Sequence, residues 1–157
     1  VQLEYLGKGH PFNFTWGRLF YLYGEGQPPN TIYSQLREAV SQGKESFDMS
    51  GGEQLRDYLP IGKAASLLVD LALKEVNAGI LNIASGRPVS IRSLVERWIH
   101  ENEWKIELNL GCYPYPTYEP MAFWGDVAKL DEIQKGVSYE QRFKSTISSR
   151  SAARLSK

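Results

Sequence analysis

Few residues in this chain have the type and spacing for bond-making chemistry. A general-acid tyrosine activated by a lysine four residues on would place both groups on one helix face. Tyr5-Leu6-Gly7-Lys8 is one residue short of that spacing, and Gly7 interrupts the helix. The two histidines, His10 and His100, and the single cysteine, Cys112, give no triad by spacing and no basis for a structural zinc site or an internal disulfide. Asp131-Glu132 falls on the polar side of a helical pattern and reads as solvated. Gly24-x-Gly26 is the one glycine doublet resembling a phosphate turn, but Pro28-Pro29 follows it where the helix of such a turn would start. The catalytic set read from the sequence is therefore empty, and binding chemistry is what remains.

The elements that would position binding groups alternate between strands and helices, which puts the chain in the α/β class. Asn13 to Tyr23 reads as one largely buried strand running into the Gly24–Gly26 turn. Asn30 reads as the cap of a helix with Ile32, Leu36, Ala39 and Val40 on one face, closed by Gly43. Short extended pieces follow at Ser46–Met49 and Arg56–Leu59. A helix is expected over Ile61–Val76 with Ile61, Ala64, Ala65, Leu68, Leu71 and Ala72 inward and Pro60 in its first turn. Gly79–Ala84 is a buried strand, and Ser90 caps a helix carrying Leu94, Val95 and Trp98, with Val89 and Leu94 placed as a hydrophobic staple. Lys105–Leu110 alternates as a strand, Tyr113–Phe123 is a proline- and aromatic-rich loop, and Asp126 caps a last helix through Ile133.

Bulk properties narrow the classes. Eighteen basic residues balance eighteen acidic ones over 157 residues, so no net field draws the chain to nucleic acid or an anionic membrane. No apolar run approaches the ~20 residues of a membrane span, and the first residues lack the pattern of a signal peptide, so a cytoplasmic location is expected. The chain opens in what reads as the last turns of a helix, Val1 to Leu6, closed by Gly7 and Gly9. That start suggests a piece of a longer fold. The tail 148–157, rich in Ser, Ala and basic residues, reads as disordered or vector-derived.

Four segments then carry a resemblance. Arg18-Leu19-Phe20-Tyr21-Leu22-Tyr23-Gly24-Glu25-Gly26 resembles an Arg-Leu-Phe-Asn-x-Tyr-Gly-Pro-Gly motif, and Gly52 to Tyr58 resembles Gly-x-x-x-Arg-Asp-Tyr. Leu81-Asn82-Ile83-Ala84-Ser85-Gly86 is similar to an Asn-Ile-Gly-Ser-Gly strand, and Asp126-Val127-Ala128-Lys129-Leu130 to an Asp-x-x-Lys-Leu helix. In this order and spacing they resemble the C-terminal half of an extended short-chain dehydrogenase/reductase, the nucleotide-sugar-modifying NAD-dependent epimerase/dehydratase family. The resemblance implies that residues 1–147 form the last strands and helices of a Rossmann-like sheet plus the small substrate-binding lobe. It also implies that NAD or NADP and the catalytic Tyr-x-x-x-Lys pair belong to an N-terminal half, so that this chain alone is inactive.

Residue by residue, the resemblance implies that Arg56 holds a phosphate of a nucleotide-sugar diphosphate (dTDP-, UDP-, GDP- or CDP-linked). Its alternative is a salt bridge to a neighbour such as Asp57. Asn30 would touch the diphosphate from a helix start, or simply cap it. Phe47 and Met49 would wall the base, or pack in the core. Tyr21 replaces the usual asparagine near the sugar and either donates a hydrogen bond or packs, while Arg18 supports the strand end. A second phosphate arginine has no counterpart; Tyr115 stands near its place, in a loop that grips the sugar or covers the core. Within the family, the Tyr-Pro-Tyr-Pro loop and Phe123-Trp124-Gly125-Asp126 suggest a ketoreductase of a 4-keto-6-deoxyhexose. The alternative function is a non-enzymatic module that binds sugar nucleotides or other proteins. The apolar character of Val1–Leu6 and Phe14–Tyr23 argues against that module, and implies exposed apolar surface and self-association when the chain is alone.

Overall fold

The computed structural model describes Gly9 and residues 12–74 and 76–136. The opening helical remnant at Val1–Leu6 and the tail 148–157 lie outside the described residues. Among the described residues, nine short strands and four helices follow one another along the chain. They are β1 (Thr15–Leu19), β2 (Tyr21–Tyr23), α1 (Ile32–Ser41), β3 (Ser46–Asp48), β4 (Leu55–Arg56), β5 (Tyr58–Pro60) and α2 (Ile61–Leu73). After these come β6 (Gly79–Ile83), β7 (Val89–Ser90), α3 (Ile91–Glu101), β8 (Glu107–Asn109), β9 (Ala122–Phe123) and α4 (Ala128–Gln134).

Pairing is mostly parallel, as an α/β chain with helical crossovers requires. β1 pairs with β6, β2 with β5, and β3 with β8. β4 lies between antiparallel β7 and parallel β9. Two cores result. The first packs α2 and α4 on the β1–β6 pair through Leu59, Ala64, Leu67, Leu71, Leu81, Ile83, Leu130 and Ile133. The second packs α1 and α3 on the β3–β8 pair through Leu36, Ala39, Phe47, Met49, Leu94, Val95, Trp98 and Ile106. β4 and β5 run between them, and the segment Gly51–Tyr58 is where the candidate site forms.

Several expectations are corrected. The apolar run 13–23 is two strands, not one: at Phe20 the chain leaves β6 and takes β5 as its partner, with the Phe20 N–H still donating to the Ile83 carbonyl at 3.3 Å. Nor is it largely buried, since Trp16 is 54% and Leu19 51% exposed. On α2 the inward stripe is Ala64, Leu67 and Leu71, while Ile61, Ala65, Leu68 and Ala72 lie on exposed surface. Pro60 caps that helix rather than occupying its first turn. The cap of α1 is Thr31, whose hydroxyl accepts from the Ser34 N–H, and not Asn30, which sits exposed in the preceding turn. Ser90 caps α3 as expected, accepting from the Ser93 N–H at 3.1 Å. Asp126 contributes a local bond to the Ala128 N–H, but the cap position of α4 is Val127.

Candidate functional site

The site is built on the short β4–β5 segment. Period-two alternation sends Arg56 and Asp57 to different environments. Asp57 is fully buried, and its carboxylate accepts three backbone N–H groups: Ser85 at 2.8 Å, Gly86 at 2.8 Å and Gly125 at 3.3 Å. Such charge-assisted bonds are short and strong, and they substitute for the water that a buried carboxylate loses. They tie β5 to the end of β6 and to the approach of α4. Gly86 fits this turn because it adopts φ +69° and because a Cβ there would lie 2.4 Å from a Val127 methyl. Sequence reasoning gave Asp57 only the part of a salt-bridge partner for Arg56. The structure corrects this: Asp57 is taken by the backbone, and Arg56 pairs elsewhere. Nothing in the sequence next to Asp57 signals this role, since its three N–H partners are 28, 29 and 68 residues away.

Arg56 is 4% exposed. Its Nη1 donates to the Leu55 carbonyl at 2.9 Å, and its Nη2 meets the Glu119 carboxylate at 3.1 Å. The guanidinium carbon lies 6.0 Å from the centroid of the Tyr21 ring, within cation–π reach. Tyr21 stacks on Tyr58 at 5.2 Å and meets Phe123 edge-on at 6.4 Å, while Phe20 stacks on Phe123 at 5.4 Å. Burial, with a smaller contribution from Tyr21, pushes the Tyr58 hydroxyl up to about 12, so it stays protonated through the physiological range. Beside these rings lies a hollow of about 550 Å³ lined by Phe20, Tyr21, Phe123, Trp124, Arg18 and Asn82. Arg18 donates to the Asn82 side chain at 3.0 Å, consistent with support of the strand end.

The remaining residues singled out in the sequence separate into two groups. Tyr115 joins the Arg56 side of the molecule: its hydroxyl donates to the Glu53 carboxylate at 3.1 Å and accepts from the Glu53 N–H at 3.4 Å. Phe47 and Met49 are 9% and 4% exposed and belong to the second core. Phe47 also lines the floor of a groove of about 880 Å³ between α1 and β3, along with Pro29, Gln35, Lys44 and Asp48. Asn30 follows Pro29 in the chain and is exposed in the turn before α1. The structure thus brings Arg56 and Tyr21 together, ties Tyr115 to Glu53, and places Phe47 in the wall of the groove beside α1.

The Gly24–Gly26 turn packs against the start of α2. A Cβ on Gly24 would lie 2.7 Å from the Ile61 side chain, so this glycine lets β2 approach α2, and the chain then enters prolines rather than a helix N-terminus. Among the described residues no three His, Cys, Asp or Glu side chains gather as a metal site. Also among them, no helix is long and apolar enough to cross a membrane.

Comparison with known proteins decides the family. The sequence model of the NAD dependent epimerase/dehydratase family matches residues 1–84. The chain belongs to that family. It is 34% identical over 113 residues to a dTDP-6-deoxy-L-talose 4-dehydrogenase (NAD(+)) of Aggregatibacter actinomycetemcomitans, covering 72% of this chain and 42% of that protein. Its fold is similar to a UDP-N-acetylglucosamine 4-epimerase from Methanobrevibacter ruminantium M1, solved with UDP-N-acetylmuramic acid. That match has a TM-score of 0.69 and 23% identity, over 84% of this chain and 43% of that one. A UDP-glucose 4-epimerase from Thermotoga maritima, solved with UDP-glucose, matches with TM-score 0.67 and 21% identity, over 83% of this chain and 42% of that one. This family member therefore spans less than half the length of these relatives. The Rossmann-like α/β reading of the sequence agrees with the fold they share.

Proposed function

We propose that this chain is the substrate-binding part, residues 1–147, of an NAD(P)-dependent enzyme that works on a nucleotide-linked sugar, and that Arg56 holds the diphosphate. The observation that carries this reading is the guanidinium of Arg56, buried yet paired with a single carboxylate on a loop. A buried arginine with one monodentate acidic partner keeps donor capacity for an incoming anion. The neighbouring hollow, walled by Phe20, Tyr21, Phe123 and Trp124, suits the apolar face of a hexose. Phe47 and Met49 are the candidates for walling the base, and Asn30 is the candidate for a second contact to the diphosphate.

The reaction we favour is oxidation or reduction at C4 of a nucleotide-linked 6-deoxyhexose. The name of the 34% identical relative supports it, as do the Tyr-Pro-Tyr-Pro loop and the Phe123–Asp126 segment. In the whole protein the nicotinamide would supply the hydride chemistry. These residues would bind and orient the substrate, a contribution made through geometry rather than proton transfer. By itself the chain is expected to turn over no substrate. Its open apolar face, with Trp16, Leu19 and Ile80 about half exposed, is where we place the rest of the sheet, and it would drive self-association of the isolated chain.

The test is titration of the chain with dTDP-, UDP-, GDP- and CDP-linked sugars, followed by tryptophan fluorescence, in wild type and Arg56→Ala. Saturable binding that the substitution abolishes supports the reading. Absence of binding at millimolar ligand in a folded chain refutes it.

A further inference from the structure

The loop between β8 and β9 lies over Arg56 in an unusual way. Its two ends are fixed by backbone bonds: Cys112 N–H to the Met49 carbonyl at 3.0 Å, and Leu55 N–H to the Met121 carbonyl at 2.8 Å. Between these points, residues 113–120 are fastened to the segment below by side-chain contacts from Tyr115 to Glu53 and from Arg56 to Glu119. The Glu119 contact is a single 3.1 Å bond, not a two-pronged fork, and its carboxylate side is 43% exposed against 5% for the arginine. An anion approaching from solvent thus finds the guanidinium already covered by Glu119.

We propose that Glu119 is a displaceable latch on Arg56, so that residues 113–120 act as a strap which opens when a diphosphate takes the guanidinium. This inference rests on the reading of Arg56 as the phosphate holder. Displacement is cheap on one side and favourable on the other. Glu119 returns to water from a half-exposed position, where such a pair contributes little. A diphosphate brings more charge and more acceptor oxygens to a donor that offers five N–H groups. Release breaks no strand pairing, because the β4–β9 ladder lies beyond the strap's end. It carries Tyr118, 83% exposed, with it. The latch also gives selectivity: inorganic phosphate, with less charge and no nucleoside to bind elsewhere, competes poorly with a resident carboxylate.

The experiment is calorimetric titration of the full 157-residue chain with UDP and, separately, inorganic phosphate. Wild type, Glu119→Gln, Glu119→Ala and Arg56→Ala are compared, each checked for native circular dichroism. The latch requires Glu119→Gln and Glu119→Ala to bind UDP more tightly than wild type, by about fivefold for an ion pair of this exposure. It also requires both variants to gain measurable phosphate binding, and UDP to speed chymotryptic cleavage at Tyr118 in wild type. Equal or weaker UDP binding by both Glu119 variants, with wild type still binding, overturns the latch alone and leaves Glu119 as a positioning partner of Arg56. If neither wild type nor the folded Glu119 variants bind UDP, the phosphate reading of Arg56 falls, and the latch falls with it.

Discussion

Substituting Asp57 by Asn removes one negative charge from a fully buried site and keeps the side chain's shape. In wild type, Oδ1 accepts from Ser85 N–H, and Oδ2 accepts from Gly86 and Gly125 N–H. The best Asn rotamer leaves its oxygen on the Oδ2 side and so turns its NH₂ toward the Ser85 N–H, donor against donor. One bond to a charged acceptor is lost outright, and two others become neutral. With about 1.5–3 kcal/mol for a hydrogen bond to a charged group, the expected loss is about 2–4 kcal/mol. For a urea m-value of about 2 kcal/mol/M this lowers the unfolding midpoint by about 1–2 M with m unchanged. Urea denaturation followed by circular dichroism reads the midpoint, and amide hydrogen exchange reads Ser85, Gly86 and Gly125 directly. Because Arg56 is the adjacent residue, the same substitution should weaken nucleotide binding as the β4–β5 register loosens. A variant within about 0.5 kcal/mol of wild type, the range of ordinary surface changes, would refute the claim that this carboxylate ties the three segments together.

Other outcomes follow from the same geometry. Tyr58 has its hydroxyl raised by burial from the ordinary value near 10 to about 12, so the folded state favours the neutral phenol. Stability is unaffected by this group below pH 10 and falls as pH rises from about 10 to about 12, by roughly 2–3 kcal/mol in all. Tyr58→Phe should flatten that part of the alkaline profile in denaturation midpoints taken across it. Thr31→Ala should cost about 1 kcal/mol of stability through the lost α1 cap, and Asn30→Ala less than about 0.5 kcal/mol; equal losses in thermal unfolding would restore Asn30 as the cap. Gly86→Ala meets both a left-handed φ and Val127, and should cost about 2–4 kcal/mol, visible as a fall in melting temperature.

Much of this fold was legible because local chemistry and tertiary position agree. Ser90, Leu94, Val95 and Trp98 signal a capped amphipathic helix, and α3 is that helix with those three apolar residues buried. Gly79–Ala84 is short, apolar and bounded by glycine and serine, and β6 occupies it. The failures share one physical origin. On α2, Leu67, Leu68, Val69, Leu71 and Leu73 make the helix apolar on nearly every side, so periodicity cannot choose the inward stripe. Between Thr15 and Tyr23 no breaker marks the change of partner at Phe20, since that change is decided by where β5 and β6 lie.

The site was legible only in part, for a related reason. Arg56 stands out through the motif it completes, but its partner Glu119 is 63 residues away in sequence. The three N–H groups that claim Asp57 are 28, 29 and 68 residues away. No spacing rule reaches across such separations. Asn30 and Thr31 show the opposite limit: both residue types cap helices well, and a single residue of register decides between them.

The central claim is that Arg56 holds the diphosphate of a nucleotide-linked sugar, and phosphorus NMR of dTDP with and without the chain tests it most directly. Wild type should broaden and shift both phosphorus resonances in a saturable way, and Arg56→Ala, folded by circular dichroism, should leave them as in free solution. Unperturbed resonances with wild type at millimolar dTDP, or equal perturbation by Arg56→Ala, would contradict the account.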